Sequence, residues 1–392
     1  LLASSAASDV YKRQKIKSMK INLDIHAASK ATSGISNFKI ELISHLLHKY
    51  SDVAVRGCFC LNRNEKKADF SWLKNKEIKK SLFPDKLIFN DKCHIPISYE
   101  SLFGADICLN LFLSYLVPFM NFKKPLISTI HDLIVLKTKV ESNDFIANHR
   151  KRLEYAIKKS NHILTVSESS KIDICNYFHV NSKDISIVHN GLNVNDLVLE
   201  KCNKDEIANL RKKYKLPKED FILYFGGYRK HKNIERLLKA YSLLSEMEKK
   251  NLKVVITNKN QELIRLANEL HIDKDVCFTG FIDECDKFVL YKTAKMLYYA
   301  SLYEGWGVPI LEAQICKTPV ITSNISSMPE ASGGYAMLVN PYSVDDIVDA
   351  IRELDKGSVL LDNLLNNGYI NAKKYTWDKS ADELYDVLKK YS

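Results

Sequence analysis

Hydrophobic and polar positions alternate along the chain in two periods, one typical of buried strands and one of amphipathic helices. INLDI (21–25) predicts a buried strand, and ISNFKIELISHLLHKY (35–50) carries apolar residues at helical spacing. Further strands are predicted at VAVRGCF, DICLNLF, PLISTI and HILTVS, with a helix at NDFIANHRKRLEYAIKK between the last two. Strands that alternate with helices predict an α/β fold with a parallel sheet covered on both faces.

The alternation begins again at FILYF (221–225), after a polar and charged stretch at 199–220. Further strands are predicted at LKVVIT, VCFTG, MLYYA and PVITS, alternating with helices at 233–245, 260–270, 286–293, from Pro309 and at 344–354. The pattern predicts two doubly wound, Rossmann-like domains that face each other across a cleft, with ligands at the carboxyl ends of the strands. The expected boundaries are 19–200 for the first domain, 201–219 for the linker, 220–372 for the second domain and 373–392 for a last helix.

Length and composition fit this two-domain interpretation and exclude several classes of protein. The chain has 392 residues, 46% of them hydrophobic, and no apolar run reaches the roughly 20 residues of a membrane helix. The nearest run, ICLNLFLSYLVPFM (107–120), is interrupted by Asn110 and Pro118. Nine cysteines without a CxxC pair indicate reduced cytosolic thiols rather than a disulfide framework or a zinc site. We expect a cytoplasmic protein.

The net charge of +11 is concentrated in the first half of the chain. Residues 1–200 carry nine more basic than acidic side chains, and residues 201–392 carry two more. This excess indicates an anionic partner, which could be a membrane surface, a phosphorylated acceptor or nucleic acid, or else a solvated lysine-rich face. Nucleic acid is disfavoured because basic and aromatic residues do not interleave as they do in single-strand binders.

The first 18 residues, LLASSAASDVYKRQKIKS, do not have the order of a signal peptide, since the small apolar residues precede the basic ones. We interpret residues 1–18 as extraneous or disordered sequence before a natural start at Met19. A mitochondrial-type presequence is the alternative.

The segment FGGYRKHKN (225–233) has the features of an anion-binding loop. Gly226 and Gly227 follow a predicted strand and let backbone amides approach an anion closely, and Asn233 is expected to cap the next helix. Three basic side chains lie between them: Arg229, Lys230 and Lys232. A diphosphate is the natural ligand, and a solvated basic turn is the alternative. The absence of GxGxxG gives no support to a dinucleotide site.

Two carboxylates border a second glycine-rich loop in SLYEGWGVPILEA (301–313). Glu304 follows a predicted strand, and Glu312 falls about one turn into a helix that Pro309 begins. Gly305 and Gly307 free backbone amides between the two acids. The pair is suited to binding sugar hydroxyls beside a phosphate. For Glu312 the alternative is a partner for the helix dipole.

EGWGVPILEA, with its Glu-x7-Glu spacing, resembles the donor-binding motif of retaining GT-B glycosyltransferases of family 4. The resemblance covers nearly the whole chain from Lys20. Other segments that resemble the family's signatures, in the family's order, are TSGISNF, STIHDLIVL, TVSESSKIDI, VHNGLN, FGGYRKHKN, FTGFID, SNISSMPEASGGYAMLVNPYSVDDI and YTWDKSADEL. The resemblance to family 4 implies a GT-B fold whose last helix crosses back to the first domain. It also implies a retaining hexosyltransferase activity.

The resemblance also implies roles for individual residues. His131, Lys232 and Glu304 would be catalytic: His131 at the transferred sugar or its phosphate, Lys232 at the diphosphate leaving group and Glu304 at the sugar. Glu312 would hold the ribose hydroxyls, and Gly280 and Phe281 would flank the base. The full donor-binding set implied is Gly34, Gly226, Gly227, Arg229, Lys232, Gly280, Phe281, Glu304, Gly305, Trp306, Gly307, Val308 and Glu312.

The phosphate loop departs from the family's usual pattern. Many members have arginine where this chain has Gly227, whereas a glycine pair with a later Lys-Asn resembles a subset of mannosyltransferases of bacterial surface polysaccharides. We therefore assign the phosphate first to Lys232 and second to Arg229. From sequence alone, a local hydrogen bond beside Asp132 is the alternative for His131, and His26 is interpreted as structural.

The resulting hypothesis is transfer of a hexose, mannose favoured, from a nucleotide diphosphate sugar with retention at the anomeric carbon. GDP-mannose is the favoured donor and a UDP-sugar the alternative; the acceptor would be a glycan or lipid-linked glycan of a surface polysaccharide such as lipopolysaccharide. No metal or other cofactor is expected, because no DxD motif stands beside a strand end. Peripheral association with the inner face of the plasma membrane is expected from basic and apolar surface at 74, 76, 79, 80, 111–124 and 149–159. The alternative function is a catalytically inactive, sugar-nucleotide-binding scaffold.

Overall fold

A computed structural model of the protein describes residues 19–24, 34–61, 77–84, 106–111, 123–193, 203–357 and 359–392. The predictions for residues 1–18, for His26 and for the lysines at 74 and 76 lie outside the described residues, as do those for residues 112–122.

Within the described residues, the first sheet has seven strands in the order β3-β2-β1-β4-β5-β6-β7. The strands are β1 Met19–Asp24, β2 Val53–Leu61, β3 Glu77–Pro84, β4 Ile107–Asn110, β5 Leu126–Thr129, β6 His162–Thr165 and β7 Ile185–Ile187. Central β1 pairs in parallel with β2 and β4, so that Ile21 lies between Val55 and Ile107, and all three side chains are buried. Apolar residues alternate with polar ones along β1, and the apolar side chains Met19, Ile21 and Leu23 are buried.

The second sheet has six parallel strands in the order β10-β9-β8-β11-β12-β13. They are β8 Asp220–Tyr224, β9 Leu252–Ile256, β10 Val276–Phe278, β11 Met296–Tyr299, β12 Val320–Ser323 and β13 Met337–Val339. The chain runs from β8 to β10 in one direction and then returns to the other side of β8 with β11. The order therefore reverses between β8 and β11, where ligands of such sheets bind.

Helices connect the strands. Up to residue 193 they are α1 Gly34–Lys49, α2 Ile134–Thr138, α3 Asn143–Lys159 and α4 Glu168–Phe178, with a 3-10 turn at Ser182–Asp184. From residue 203 they are α5 Lys204–Tyr214, α6 Ile234–Ser242, α7 Glu246–Asn251, α8 Gln261–Glu269, α9 Lys287–Thr293, α10 Val308–Ile315, α11 Met328–Ser332, α12 Val344–Lys356, α13 Val359–Ala372 and α14 Trp377–Lys389, with a 3-10 turn at Lys230–Lys232. None of these described helices combines the length and apolar character that crossing a bilayer requires.

The described residues form two compact units. The first contains residues up to 130 together with 152–164 and 381–392, and the second contains 131–151 and residues from 165 to 380. The α/β fold class with two parallel sheets is confirmed, whereas the domain boundaries expected at 200, 219 and 372 remain a prediction.

In the first unit, the end of the chain is fixed by a tyrosine stack. The rings of Tyr50 and Tyr385 lie 3.6 Å apart, and their hydroxyls donate to Asp382 and Asp52 at 2.5 and 2.6 Å. Lys49 adds an ion pair with Asp382. These contacts hold the C-terminal half of α14 against the end of α1.

In the second unit, the turn after α11 depends on two adjacent glycines in the left-handed region. Gly333 has φ +61, and a Cβ there would lie 2.5 Å from Oδ1 of buried Asn371. Asn371 in turn donates to the carbonyl oxygen of Ala331 and to the side-chain oxygen of Gln314, which joins α10, α11 and α13. Gly334 has φ +80 and open space where its Cβ would be.

Alanine at these two glycines should therefore separate backbone strain from steric displacement. Both variants carry the left-handed penalty of about 1–2 kcal/mol, but only Gly333→Ala displaces Asn371 and its buried hydrogen bonds, which adds about 1–3 kcal/mol. Urea unfolding followed by tryptophan fluorescence should show Gly333→Ala to be less stable than Gly334→Ala by about 2 kcal/mol. Equal losses would show that Asn371 does not constrain this turn.

Candidate active site

Two loops leave the carboxyl ends of β8 and β11, which are neighbours in the second sheet with Ile222 opposite Met296 and Leu223 opposite Leu297. The loop after β8 carries FGGYRKHKN, and the loop after β11 carries SLYEGWG. Since the strands are parallel, their carboxyl ends lie at one edge of the sheet, and the two predicted sugar-nucleotide segments meet there.

The glycine pair after β8 is held from both sides by buried hydroxyl groups. The backbone N–H of Gly226 donates to Oγ1 of Thr257 at 3.0 Å, and the hydroxyl of Tyr224 donates to the carbonyl oxygen of Gly227 at 2.9 Å. Gly226 has φ +137, a backbone conformation that side chains rarely allow. Gly227 is exposed. The loop is therefore fixed by its neighbours while one glycine faces solvent.

Lys232 forms an ion pair with Glu304 inside this crevice. Its ammonium lies 2.6 Å from Oε1 of Glu304 and 2.8 Å from the hydroxyl oxygen of Tyr299. Only 19% of the Lys232 side chain and 12% of the Glu304 side chain are exposed. Burial alone would lower the pKa of Lys232, but the charge and hydrogen bond of Glu304, together with Tyr224 and Asp132, raise that pKa overall. The lysine therefore stays protonated at neutral pH.

Arg229 and His231, on either side of Lys230, have different surroundings. Arg229 is exposed, so its guanidinium faces solvent. His231 is half-buried, and burial lowers its pKa to about 4, so the ring is neutral at physiological pH. Its carbonyl oxygen accepts the N–H of Leu302 at 2.7 Å, which ties the loop after β8 to the loop after β11.

Asn233 does not cap α6 as expected from the sequence. Its backbone lies in the left-handed region with φ +62, and its side chain makes no capping hydrogen bond. The buried amide instead donates to the carbonyl oxygens of Ala300 and Pro341 at 2.9 and 2.8 Å. The residue therefore links the two loops to the segment after β13, and long-range hydrogen bonds replace the local cap.

The peptide groups of Glu304 are fixed by two serines. The Glu304 N–H donates to Oγ of Ser326 at 3.2 Å, and its carbonyl oxygen accepts from the hydroxyls of Ser326 and Ser327 at 2.8 and 2.9 Å. Ser326 adopts φ +58, an uncommon conformation for a residue with a side chain. These contacts fix the backbone of Glu304, whose carboxylate pairs with Lys232.

Gly305 lies directly against the His131-Asp132 segment that follows β5. A Cβ on Gly305 would lie 2.9 Å from Oδ2 of Asp132 and 3.0 Å from the carbonyl oxygen of His131. The hydroxyl of Ser170, on α4, donates to the Gly305 carbonyl oxygen at 3.3 Å. Glycine is required here for close approach, and Gly305 is buried, whereas the sequence predicted a backbone amide free to bind a ligand.

Asp132 is an acid of the site that the sequence pattern did not select. Its Oδ1 accepts the N–H of Ile134 at 2.9 Å at the start of α2. Burial raises its pKa to about 6, and the nearby charge of Glu304 adds to that shift, while the Ile134 N–H and Lys232 oppose it. Lys232 is thus surrounded by Glu304 at bonding distance and Asp132 close enough to act through its charge.

Trp306, Gly307 and Val308 complete the loop. The Trp306 ring is buried and packs edge-on against His189 and Tyr375, with ring centres 5.2 and 5.1 Å away. Gly307 has φ +152 and lies against Ile310. Helix α10 begins at Val308 with Pro309 in its first turn, which confirms the helix start expected from Pro309. Contact of these residues with a sugar remains a prediction.

Glu312 lies on α10 and is bound by two donors from α9. The Lys287 ammonium is 2.9 Å from its Oε1, and the Tyr291 hydroxyl donates to its Oε2 at 2.9 Å. Neither partner was identified from the sequence, because nothing in the pattern pairs Glu312 with residues 21 and 25 positions before it. Its role at ribose hydroxyls remains a prediction.

The turn at Gly280 and Phe281 presents an aromatic ring to solvent. Gly280 has φ +78, and Phe281 is 85% exposed. Asp283 and Asp286, which follow this turn, bind side chains of α5. The Lys213 ammonium lies 2.6 Å from both carboxylates, and the Tyr214 hydroxyl accepts the N–H of Asp283. An exposed aromatic ring on an anchored turn is a suitable surface for stacking a nucleotide base.

Gly34 is the first residue of α1 and belongs to the first unit, with open space where a Cβ would be. The structure thus brings together the His131-Asp132 segment, Lys232, Glu304 and Gly305 in the second unit. Within the described residues, no group of three or more histidine, cysteine, aspartate or glutamate side chains is arranged to hold a metal ion.

Comparisons with known proteins agree with this arrangement. Residues 106–196 match the model for Glycosyltransferase Family 4, and residues 206–374 match the model for Glycosyl transferases group 1. The chain therefore carries a glycosyltransferase family 4 segment followed by a glycosyltransferase group 1 segment.

Among curated relatives, the serotype-specific mannosyltransferase WbdA of Escherichia coli is 28% identical over 277 residues, which are 68% of this chain and 33% of that protein. The chain thus spans about a third of the length of that relative. The O-antigen chain mannosyltransferase B of Escherichia coli is 26% identical over 67% of this chain and 70% of its own length.

Among solved structures, a sucrose-phosphate synthase from Thermosynechococcus elongatus has a TM-score of 0.70 at 18% identity, covering 95% of this chain and 98% of the other. Anabaena HepE in complex with UDP and glucose has a TM-score of 0.70 at 14% identity, covering 95% and 100%.

The raised pKa of Asp132 predicts a pH-dependent contribution to stability. Because that pKa is about 6 in the folded protein against 3.8 ordinarily, the folded state holds the proton more tightly between these values. This contribution is present at low pH and is lost as the pH rises through about 6. Asp132→Asn keeps an oxygen for the Ile134 N–H but does not titrate.

From about pH 4.5 to about pH 7.5, the free energy of unfolding of the wild type should therefore fall by about 2 kcal/mol relative to Asp132→Asn. Urea unfolding of both proteins across this range measures the difference. A difference that stays constant with pH would show that Asp132 titrates at its ordinary pKa.

Proposed function

We propose that the protein is a retaining hexosyltransferase that moves mannose from a nucleotide diphosphate sugar to a glycan or lipid-linked glycan during synthesis of a bacterial surface polysaccharide. The observation that carries this proposal is the Lys232–Glu304 pair at the crevice between β8 and β11, 2.6 Å apart and largely buried. A cation there can receive a departing diphosphate, and a carboxylate beside it can hold sugar hydroxyls. The names of the relatives support mannose and an O-antigen product.

The proposed chemistry relies on electrostatic stabilisation of the leaving group. When the bond between the anomeric carbon and the diphosphate breaks, negative charge develops on the diphosphate oxygens, and the Lys232 ammonium offsets it. The amide of Gly227 and the exposed Arg229 are the further donors assigned to the phosphates, since the Gly226 N–H donates to Thr257. His131 and Glu304 are assigned to the transferred sugar.

The donor is proposed to be GDP-mannose, with a UDP-sugar as the alternative. Phe281 supplies a stacking surface that accepts any base, because every base has a π-face. Glu312 supplies the carboxylate assigned to the ribose. The mannosyltransferase relatives favour GDP-mannose, whereas the HepE complex contains UDP and glucose.

The acceptor is proposed to be presented at the inner face of the plasma membrane, with the enzyme associated peripherally. Helix α3 supports this, since it exposes Lys151 and Lys158 together with the aromatic side chains of Phe145 and Tyr155. Basic and aromatic side chains on one exposed helix favour an anionic lipid surface. The intact Lys232–Glu304 pair favours an enzyme over an inactive sugar-nucleotide-binding scaffold.

Replacement of Lys232 by methionine tests the leaving-group assignment. The assay measures release of GDP from GDP-mannose and of UDP from UDP-glucose, each with and without a mannose oligosaccharide acceptor. Without the ammonium, this release should slow by about 100- to 1,000-fold. Lys250→Met removes an exposed lysine of α7 and serves as the charge-matched control, with turnover expected to equal that of the wild type.

Because the substitution leaves Glu304 without its cation, a thermal melt must show that the variant is folded under assay conditions. Turnover of a folded Lys232→Met variant within about threefold of the wild type would contradict the assignment. No release by the wild type from either donor would favour the scaffold.

A further inference from the structure

Glu312, Lys287 and Tyr291 form a buried cluster between α9 and α10. The exposed fractions of the three residues are 8%, 9% and 0%. Both carboxylate oxygens of Glu312 are bound, one by the Lys287 ammonium and one by the Tyr291 hydroxyl, each at 2.9 Å. The orientation of this carboxylate is therefore set by two side chains that the proposed reaction does not otherwise use.

Both partners remain donors throughout the physiological pH range. Burial raises the pKa of the Tyr291 hydroxyl well above its ordinary value, and the charge of Glu312 adds to this shift, so the proton stays on the oxygen. Burial alone would lower the pKa of Lys287, but Glu312 and Glu284 outweigh it and raise that pKa. Glu312 is thus held between one cation and one neutral hydroxyl.

The two partners are themselves fixed in position. Lys287 also forms an ion pair with Glu284, and its helix begins directly after Asp286, which Lys213 and Tyr214 hold from α5. The backbone carbonyl oxygen of Tyr291 accepts the Thr318 hydroxyl at 2.8 Å. These contacts restrain both donors and, through them, the carboxylate of Glu312.

Two of the acceptor positions on the carboxylate are occupied, and others remain. An ionised carboxylate offers about four lone-pair positions on its two oxygens. With Lys287 on one oxygen and Tyr291 on the other, each oxygen keeps one position for a hydroxyl donor. Two vicinal hydroxyls match two oxygens held at fixed orientation better than they match a carboxylate free to rotate.

We propose that Lys287 and Tyr291 are positioning residues that aim Glu312 at the 2′- and 3′-hydroxyls of the donor ribose and thereby set a preference for ribonucleotides over 2′-deoxyribonucleotides. This inference rests on the proposed function, since it requires a nucleoside diphosphate in the site. It predicts a measurable ratio of dissociation constants between a nucleotide and its 2′-deoxy form. A hydrogen bond from a hydroxyl to a charged acceptor corresponds to a ratio of about 10 to 100.

The experiment is calorimetric titration of GDP, 2′-deoxy-GDP, UDP and 2′-deoxy-UDP into the wild type and the variants Tyr291→Phe, Lys287→Met and Glu312→Gln. Tyr291→Phe keeps the ring and removes only the hydroxyl. The matched control is Tyr241→Phe, which removes another buried tyrosine hydroxyl of the same unit, one that donates to the Leu252 carbonyl oxygen.

For the base that binds, the wild type should prefer the ribonucleotide by about 10- to 100-fold. Tyr291→Phe and Lys287→Met should lose most of that preference and approach Glu312→Gln, while Tyr241→Phe keeps it even where its stability falls. If Lys287 and Tyr291 have only a structural role, their replacement should weaken binding of the ribonucleotide and the 2′-deoxyribonucleotide equally. The ratio of the two dissociation constants would then stay unchanged. If Lys287→Met does not fold, the ratio of dissociation constants measured with Tyr291→Phe decides between the two roles.

An unchanged ratio in the folded variants would overturn the inference and leave the proposed function intact. A wild type that binds ribo- and deoxyribonucleotides equally would also overturn it, since Glu312 would then not read the ribose. Binding of neither GDP nor UDP by the wild type would overturn the proposed function and this inference together.

Discussion

The buried ion pair between Lys232 and Glu304 imposes the constraint on which the rest of the site depends. Removing two opposite charges from water is costly, and their attraction offsets that cost only where the geometry is good and further hydrogen bonds are available. Here the Tyr299 hydroxyl lies beside the ammonium, and Ser326 and Ser327 fix the backbone of Glu304. Loss of either charged partner would leave the other buried and unpaired, so the two loops must be placed together.

Strand order explains how two segments about 70 positions apart reach this geometry. Because β8 and β11 are neighbours at the reversal of the sheet, the loops that leave them share one crevice. Asn233 and the His231 carbonyl oxygen then join the loops through Ala300 and Leu302. The loop after β11 also needs glycine at 305, where Asp132 and His131 leave no room for a Cβ.

Much of this architecture follows from the sequence, because the features concerned are local. Apolar runs predicted most strands of both sheets, and Pro309 predicted the start of α10. The strands β3, β7 and β13 were not predicted: β7 and β13 are three residues long and only partly buried, so period alone does not distinguish them from loops.

The side-chain partners in the site could not be predicted in this way. Asn233 has the residue type of a helix cap, but carbonyl groups 67 and 108 positions away bind its amide. Likewise, Glu312 meets Lys287 and Tyr291 only because α9 and α10 pack together. The motif therefore identified which residues matter at Glu304 and Lys232, while packing determines what each of them contacts. The raised pKa of Asp132 likewise arises from burial that its neighbours along the chain do not indicate.

We propose that Lys232 is the cation that receives the diphosphate, while Glu304, its partner in the ion pair, is assigned to the transferred sugar. Calorimetric titration of GDP and UDP into Lys232→Met and Glu304→Gln tests this most directly. The account predicts opposite effects: binding at least about 10-fold weaker in Lys232→Met, and as tight as in the wild type or tighter in Glu304→Gln, because the ammonium is then released for the phosphates. A folded Lys232→Met variant that binds the same nucleoside diphosphate as tightly as the wild type would contradict it.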